Sequence, residues 1–250
     1  MKGRAGMRRS VAMASYNGAR YIEEQLQSVL SQLGEQDEVV VSDDGSTDGT
    51  RQLLEALAGR DSRVRVLDGP RAGVVRNFEN ALAAVTGEIV FLCDQDDVWR
   101  PDKVEAVCAA FEDPAVWLVM HDARVTDDTL RPVADSFFAL HGSRAGYARN
   151  LWRNSYIGCC MAFRRELLQL ALPFPDGIPM HDQWLGMLAD RQGGVRLLAH
   201  PLIDYRRHAG TATTDRHGSL SSMLRNRWIL WRALGRRWRE TRGLQMKSDV

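Results

Sequence analysis

The chain has 250 residues, 44% hydrophobic and 26% charged, with 33 Lys and Arg against 32 Asp and Glu for a formal net charge of +1. This composition excludes a disordered chain, and the length accommodates one or two domains with a sizeable core. The balance also excludes a strongly basic nucleic-acid binder, so no nucleic-acid partner is expected. The charge is nonetheless divided along the chain. Residues 1–9 carry +4 through Lys2, Arg4, Arg8 and Arg9. Residues 221–250 carry +6, from seven Arg and Lys247 against Glu240 and Asp249, which leaves −9 for the body.

The first hundred residues alternate short apolar runs with helical patterns. Ser10–Ala14 reads as a buried strand. Residues 20–33 follow as a helix, with Tyr21, Ile22, Leu26, Val29, Leu30 and Leu33 at helical spacing. Glu38–Ser42 is a second strand, and Asp48 caps a helix running to Ala58. Val64–Leu67 is a strand, Val74–Val85 a helix and Glu88–Cys93 a fourth strand. Such alternation predicts an α/β fold, a mostly parallel mixed sheet flanked by helices. Right-handed crossovers then bring the strands' carboxyl ends to one edge.

The pattern loosens beyond Pro101. Lys103–Phe111 is helical, Val116–Met120 a strand, and 126–150, with Pro132, Gly142 and Gly146, a loop or short-helix region. Ser155–Phe163 reads as strand, Arg165–Leu170 and His181–Ala189 as helices, and Val195–Tyr205 as strand. Leu220–Trp238 reads as one long helix. The expectation is one continuous domain over 1–218, in two halves at about 9–100 and about 101–210. A basic amphipathic helical appendage over 219–250 completes the chain.

Cys93, Cys108, Cys159 and Cys160 form no Cys-x-x-Cys pair, and read as small buried hydrophobes in a reducing compartment. No apolar run approaches the ~18–20 residues of a membrane span, and the N-terminus does not read as a signal peptide. The chain is therefore expected to be cytoplasmic, at most peripheral at the inner face of the cell membrane.

Polar residues gather after the strands. Asp94-Gln95-Asp96-Asp97 sets three carboxylates within four residues at a strand end. Their mutual repulsion is relieved by a hard divalent cation, Mg²⁺ or Mn²⁺, or the run is a solvated turn capping the next helix. Asp43-Asp44-Gly45-Ser46-Thr47-Asp48-Gly49-Thr50 either caps a helix or accepts hydrogen bonds from a base or ribose. No Gly-x-Gly-x-x-Gly follows a strand and no Walker-type loop is present, so a nucleotide's phosphates would be held by metal and Arg.

Three segments in order resemble glycosyltransferase family 2: Ala14-Ser15-Tyr16-Asn17-Gly18, Val41–Thr50 and Phe91–Asp97. The resemblance spans about residues 9–210 and implies a GT-A fold with a nucleotide-sugar donor. It implies that Ser15, Tyr16, Asn17, Asp43 and Asp44 hold base and ribose, with Gln95 beside them. Arg76, in Gly73-Val-Val-Arg-Asn77, would approach the diphosphate. Asp94 and Asp96 match the family's Asp-x-Asp, which binds ribose and metal, and His208 in Asp204-Tyr-Arg-Arg-His208 matches a late His that reaches metal or diphosphate.

Met180-His181-Asp182-Gln183-Trp184 matches the segment carrying the catalytic base, which places Asp182 in that role. A helix N-terminus lowers a carboxylate pKa, whereas a general base works best near neutrality, so burial has to offset the dipole. Read without the resemblance, Asp182 is a helix cap. His181, Trp184 and Gly158 fall on the implied acceptor side. His181 departs from the family's common Glu-Asp and resembles the rhamnosyltransferase-like branch.

Leu220, Leu224, Trp228, Trp231, Leu234 and Trp238 form an apolar stripe along the C-terminal helix, with Arg225, Arg232, Arg236 and Arg239 opposite. It suits an anionic membrane surface, the protein body or a second subunit, as in a homodimer. Leu224 stands where processive synthases carry Gln of Gln-x-x-Arg-Trp, so a processive polymerase is not expected. The resemblance implies an inverting, metal-dependent hexosyltransferase of cell-surface polysaccharide or glycolipid synthesis. The first donor expected is dTDP-rhamnose, with a saccharide or lipid-linked acceptor. Alternatives are a UDP-hexose donor, a nucleotide-sugar nucleotidyltransferase and a non-catalytic nucleotide-sugar-binding scaffold.

Overall fold

A computed structural model describes residues 7–208 and 220–248, and side chains for 7–208 and 221–240. The expected boundary at 218/219 and the side chain of Leu220 lie outside the described residues. The first half alternates as its periodicity dictates: β1 (Arg9–Ser15), α1 (Ile22–Leu30), β2 (Glu38–Asp43), α2 (Thr50–Ala58), β3 (Val64–Asp68), α3 (Val74–Ala84) and β4 (Ile89–Asp94). Val11–Met13, Val39–Val41 and Ile89–Cys93 are completely buried, as runs covered on both faces of a parallel sheet must be.

The second half comprises β5 (Val98–Trp99), α4 (Lys103–Ala110), β6 (Leu118–Thr126), β7 (Pro132–Ala134), α5 (Phe137–His141), α6 (Tyr147–Trp152), β8 (Met161–Arg164), α7 (Leu167–Ala171), α8 (His181–Arg191), β9 (Val195–Arg206) and α9 (Leu220–Ser248). Most of the strand expected over Ser155–Phe163 is instead a coil and a 3-10 turn at Gly158–Cys160, with β8 only after it. The irregular 126–150 region resolves into β7, α5 and α6.

The sheet runs β3-β2-β1-β4-β8-β6-β9-β5, with β7 on β6. β1 to β4 are parallel, as are β6 and β9, while β8, β5 and β7 add antiparallel pairings. Register positions the site. Ser15 pairs with Asp43 and Ala14 with Asp94, so the three polar loops emerge together at one edge. β5 then folds back onto β9, Val98 against Asp204 and Trp99 against Ile203, which brings the end of β9 over the acidic turn.

The expected apolar stripe of α9 does not face one way. Leu230 and Leu234 are buried against the body, while Leu224, Trp228 and Trp231 point outward and Trp238 is half-buried. Two arginines set the rotation. Arg227 Nε donates to Trp152 O at 2.8 Å, and Arg237 donates to Leu172 O at 2.7 Å and Pro173 O at 2.5 Å. These contacts put positions 227, 230, 234 and 237 inward. Arg225, Arg232, Arg236 and Arg239 therefore flank the exposed tryptophans instead of opposing them. No helix among the described residues is long and apolar enough to cross a membrane.

This orientation is testable by urea unfolding. Leu234→Ala should cost about 2–5 kcal/mol, as for a buried leucine, and Trp231→Ala less than about 0.5 kcal/mol. Equal losses would contradict the assigned faces.

Candidate active site

A cavity of about 590 Å³ opens at the carboxyl edge between the two halves. Ser15, Tyr16, Asp44, Asp94, Gln95 and Asp96 line it from the first half, and Gly158, His181 and Asp182 from the second. In open α/β sheets this crevice is where ligands bind.

Three of the expected nucleotide contacts do not reach the wall, because the loops use them for their own construction. Asp43 accepts from Ser15 Oγ at 2.9 Å and from Ser46 Oγ at 2.5 Å. Asn17, at φ +50°, accepts Thr47 N–H on Oδ1 at 2.9 Å and donates its own N–H to Ser46 Oγ at 2.9 Å, which ties two loops together. Arg76 pairs with Glu79 and Asp176 and donates to Phe174 O at 2.9 Å, so it braces a loop of the second half.

Arg71 takes its place at the cavity. Asp44 accepts the backbone N–H groups of Arg71, Ala72 and Gly73 at 2.6, 3.3 and 2.9 Å, folding the segment back so that Arg71 lines the wall. Gln95 has a double role, lining the cavity while accepting Tyr16 N–H at 2.8 Å and donating to Tyr16 O at 3.0 Å.

The acidic turn is the electrostatic centre. Burial, then the charges of Asp96 and Asp182, push Asp94 up to about 7. Asp97 is 1% exposed and held well above the usual carboxylate range, chiefly by burial; its Oδ1 accepts Arg206 N–H at 3.0 Å, while Oδ2 has no hydrogen-bond partner among the described residues. His208 Nε2 lies 2.8 Å from Asp96 Oδ2, so this expected pair is brought together.

Two cations that sequence reasoning assigned no role hold the turn. Arg206 is buried and donates to Asp96 O at 2.8 Å, Asp128 O at 2.7 Å and Glu24 Oε2 at 2.6 Å. Lys103 is fully buried, donates to Cys159 O at 2.9 Å and lies 4.0 Å from the Trp99 ring centroid. A signal for Lys103 existed: it is the only lysine between Lys2 and Lys247, and it shares the inward helical face of Val107 and Ala110. Arg206 carried no such mark among thirty arginines.

Across the cavity, Asp182 is 7% exposed in the first turn of α8, whose N-cap is Met180. It is therefore not the cap. Burial pushes its carboxyl up to about 7, although the Gln183 and Gly158 N–H groups act to lower it. Desolvation outweighs the helix terminus, and the carboxyl titrates where a general base is useful.

His181 is 3% exposed, stacked on Phe78 at 4.0 Å, with neither ring nitrogen hydrogen-bonded among the described residues. Burial lowers it to about 3, so the imidazole is neutral. A Cβ on Gly158 would sit 3.0 Å from His181 Nε2, which leaves glycine as the residue that fits beside it. Trp184 does not join them. It is completely buried on the far side of α8, donating Nε1–H to Ala171 O at 3.1 Å, because its position in the turn faces α7.

A family model, Glycosyl transferase family 2, matches residues 10–170. The chain belongs to this family. An uncharacterized glycosyltransferase of Nostoc sp. is 30% identical over 173 residues, covering 67% of this chain and 54% of that protein. TuaG of Bacillus subtilis, named for teichuronic acid biosynthesis, is 40% identical over 99 residues, 38% of each chain. The chain thus spans about half or less of these relatives' lengths. Among solved structures, S. aureus TarS 1–349 in complex with UDP-GlcNAc matches with TM-score 0.71 and 22% identity over 90% of this chain and 66% of that one. The mannosyltransferase PcManGT of Pyrobaculum calidifontis, in complex with GDP-Man and Mn²⁺, matches with TM-score 0.61 and 27% identity over 83% and 58%. The family member therefore has the expected GT-A-like α/β fold.

The donor set suits a hard divalent cation: carboxylates on one turn, an imidazole beside Asp96, and a buried Asp97 oxygen without a partner. Asp94, Asp97 and Cys159 also place ligand atoms within 4.8 Å of one another. Cys159 is the weak member of that trio, since burial raises its thiol far above the usual range and a thiolate is not formed.

The burial of Asp182 has a measurable sign. Its folded value near 7 lies above the ordinary 3.8, so the folded state holds the proton more tightly. Ionisation then removes stability progressively from about pH 4 to about pH 7, and the loss is complete above. Asp182→Asn should raise the Tm at roughly pH 8 and give no gain below about pH 4. Thermal melts across pH check this; a pH-independent difference would refute it.

Proposed function

We propose that the chain is an inverting, metal-dependent glycosyltransferase that moves a hexose from a nucleotide-sugar to a hydroxyl acceptor in bacterial cell-surface polysaccharide or glycolipid synthesis. The observation that carries this reading is one cavity with the Asp94/Asp96 turn on one wall and Asp182, titrating near 7, on the other. The family supports the class, and TuaG, named for teichuronic acid biosynthesis, supports the cell-surface setting.

Asp182 takes the proton of the acceptor hydroxyl as its oxygen attacks the anomeric carbon. The bond to the nucleoside diphosphate breaks on the opposite face, so configuration inverts. Asp94, Asp96 and His208 are the residues that would hold Mg²⁺ or Mn²⁺, which supplies neutralisation of the charge developing on the departing diphosphate. Arg71 adds a guanidinium to that wall, and the loop at Ser15, Tyr16 and Asp44 receives base and ribose. Neutral His181 can donate from one ring nitrogen and accept at the other. Together with Gly158 it forms the sugar-facing wall on the acceptor side, and closure around substrates orients donor and acceptor for reaction.

Rhamnose from dTDP-rhamnose is the first donor, on the His181-Asp182 pair. A UDP- or GDP-hexose is the alternative that the TarS and PcManGT complexes support. The acceptor is a saccharide, free or lipid-linked, met at the inner face of the cell membrane.

Thermal protection by dTDP, UDP and GDP, each with and without Mn²⁺, should identify the base and should disappear in Asp96→Asn. Asp182→Asn should keep that protection while lowering kcat by about 10²–10⁴-fold. Unchanged turnover in Asp182→Asn would remove the base assignment. Pyrophosphate release from a nucleoside triphosphate would assign a nucleotidyltransferase, and binding without any turnover a scaffold.

A further inference from the structure

We propose that the outward face of α9, together with Trp152 at the end of α6, is a docking surface for an anionic lipid bilayer. Among the described residues eight large hydrophobic side chains are exposed, and four of them share this place: Trp152 (67%), Leu224 (57%), Trp228 (54%) and Trp231 (60%). Leu224, Trp228 and Trp231 recur at helical spacing on one stripe. Trp152 is held at its border, its ring 4.4 Å from the Arg227 guanidinium and its carbonyl accepting Arg227 Nε. A concentration of exposed tryptophan on a helix whose other face is already packed marks an interaction surface, not a solvent face.

Charge selects the occupant. Arg225, Arg232, Arg236 and Arg239 run along the same stripe, and none has a carboxylate partner among the described residues. Arg232 lies over the Trp228 ring at 5.1 Å, so cation and ring present themselves together. A second copy docked face to face would set four arginines against four, with Glu240, already paired to Arg237, as the carboxylate at the border of the stripe. An anionic bilayer satisfies both components: tryptophans seat at the headgroup level, and guanidiniums meet lipid phosphates. A groove of about 610 Å³ beside the stripe is lined by Trp228, Arg232, Arg236 and Arg237, with Asp176 and Glu240 also on its wall, so three guanidiniums outnumber two carboxylates there. With no spanning helix among the described residues, the contact lies in the interface plane.

The placement relates to the site. The inner side of α9 meets Gln183, the residue after Asp182, beside Trp152 and Leu230. α9 thus borders the first turn of α8, the helix that carries the acceptor wall, which suits an acceptor carried on a lipid. That last clause rests on the transferase reading; the lipid binding itself does not.

The experiment is co-sedimentation of the full chain with vesicles of phosphatidylcholine alone and of phosphatidylcholine with phosphatidylglycerol, without substrates. Binding is expected to the anionic vesicles only and to weaken with salt. The pairs Trp228→Ser/Trp231→Ser and Arg232→Gln/Arg236→Gln should each lower the partition coefficient roughly tenfold or more. Both pairs are at the surface, so their melting temperatures and turnover on a soluble acceptor should match the parent chain. No binding, equal binding to neutral vesicles, or unchanged binding in both pairs would overturn the proposal. So would a dimer in sedimentation equilibrium that the tryptophan pair abolishes, since that assigns the face to a second copy. Vesicle binding without glycosyl transfer would leave this surface standing and remove the transferase reading, and transfer without vesicle binding would do the reverse.

Discussion

Three carboxylates held on one turn, away from most solvent, are the constraint around which the molecule is arranged. Asp94, Asp96 and Asp97 repel one another, and burial of Asp94 and Asp97 raises both. Left alone such a turn would take up protons or open to water. Arg206 reaches it from the end of β9, and Lys103 lies buried beneath it on α4. That requirement accounts for β5, a two-residue strand whose pairing with β9 delivers Arg206 and His208 to the turn. It also accounts for a lysine left fully buried at a cost in desolvation.

The two walls of the cavity solve opposite problems. On the wall of the acidic turn the carboxylates are concentrated, and a cation there would relieve their repulsion. On the opposite wall a single carboxylate, Asp182, is isolated, with a neutral imidazole beside it and a helix N-terminus below. There desolvation outweighs the dipole, and Asp182 is brought near neutrality without another charge as the principal cause. Lys103 links the walls, because the Cys159 carbonyl it holds belongs to the turn whose Gly158 N–H faces Asp182. The acidic turn and Asp182 are therefore parts of one buried polar network.

Much of this was legible in the chain itself. The periodicity of the first hundred residues located β1 to β4 and their helices, since strands buried on both faces announce themselves as continuous apolar runs. The ordered polar segments after those strands marked the site edge, and Ser15, Tyr16, Asp44, Asp94, Asp96, His181 and Asp182 do line the cavity. What misled was local similarity of role. Asn17, Asp43 and Arg76 sit in the right segments but bond to neighbouring loops, and Trp184 sits two residues from Asp182 but faces the core. A motif specifies which residues are near a site, not which way each side chain turns.

The sequence by itself determined the α/β alternation, the family, the polar edge and the separation of charge into an acidic body with basic ends. Those properties depend on residue type and spacing along the chain, which burial patterns and backbone geometry translate directly. Only the tertiary structure decided that Arg71 replaces Arg76 at the cavity, that Lys103 and Arg206 support the acidic turn, and that α9 turns its tryptophans outward. Each of these depends on a contact between segments far apart in sequence: Asp44 with residues 71–73, Lys103 with Cys159, Arg237 with the carbonyls of Leu172 and Pro173. Hydrophobic periodicity reports that a helix has an apolar side. Which side is covered depends on hydrogen bonds to a neighbour that the periodicity does not contain.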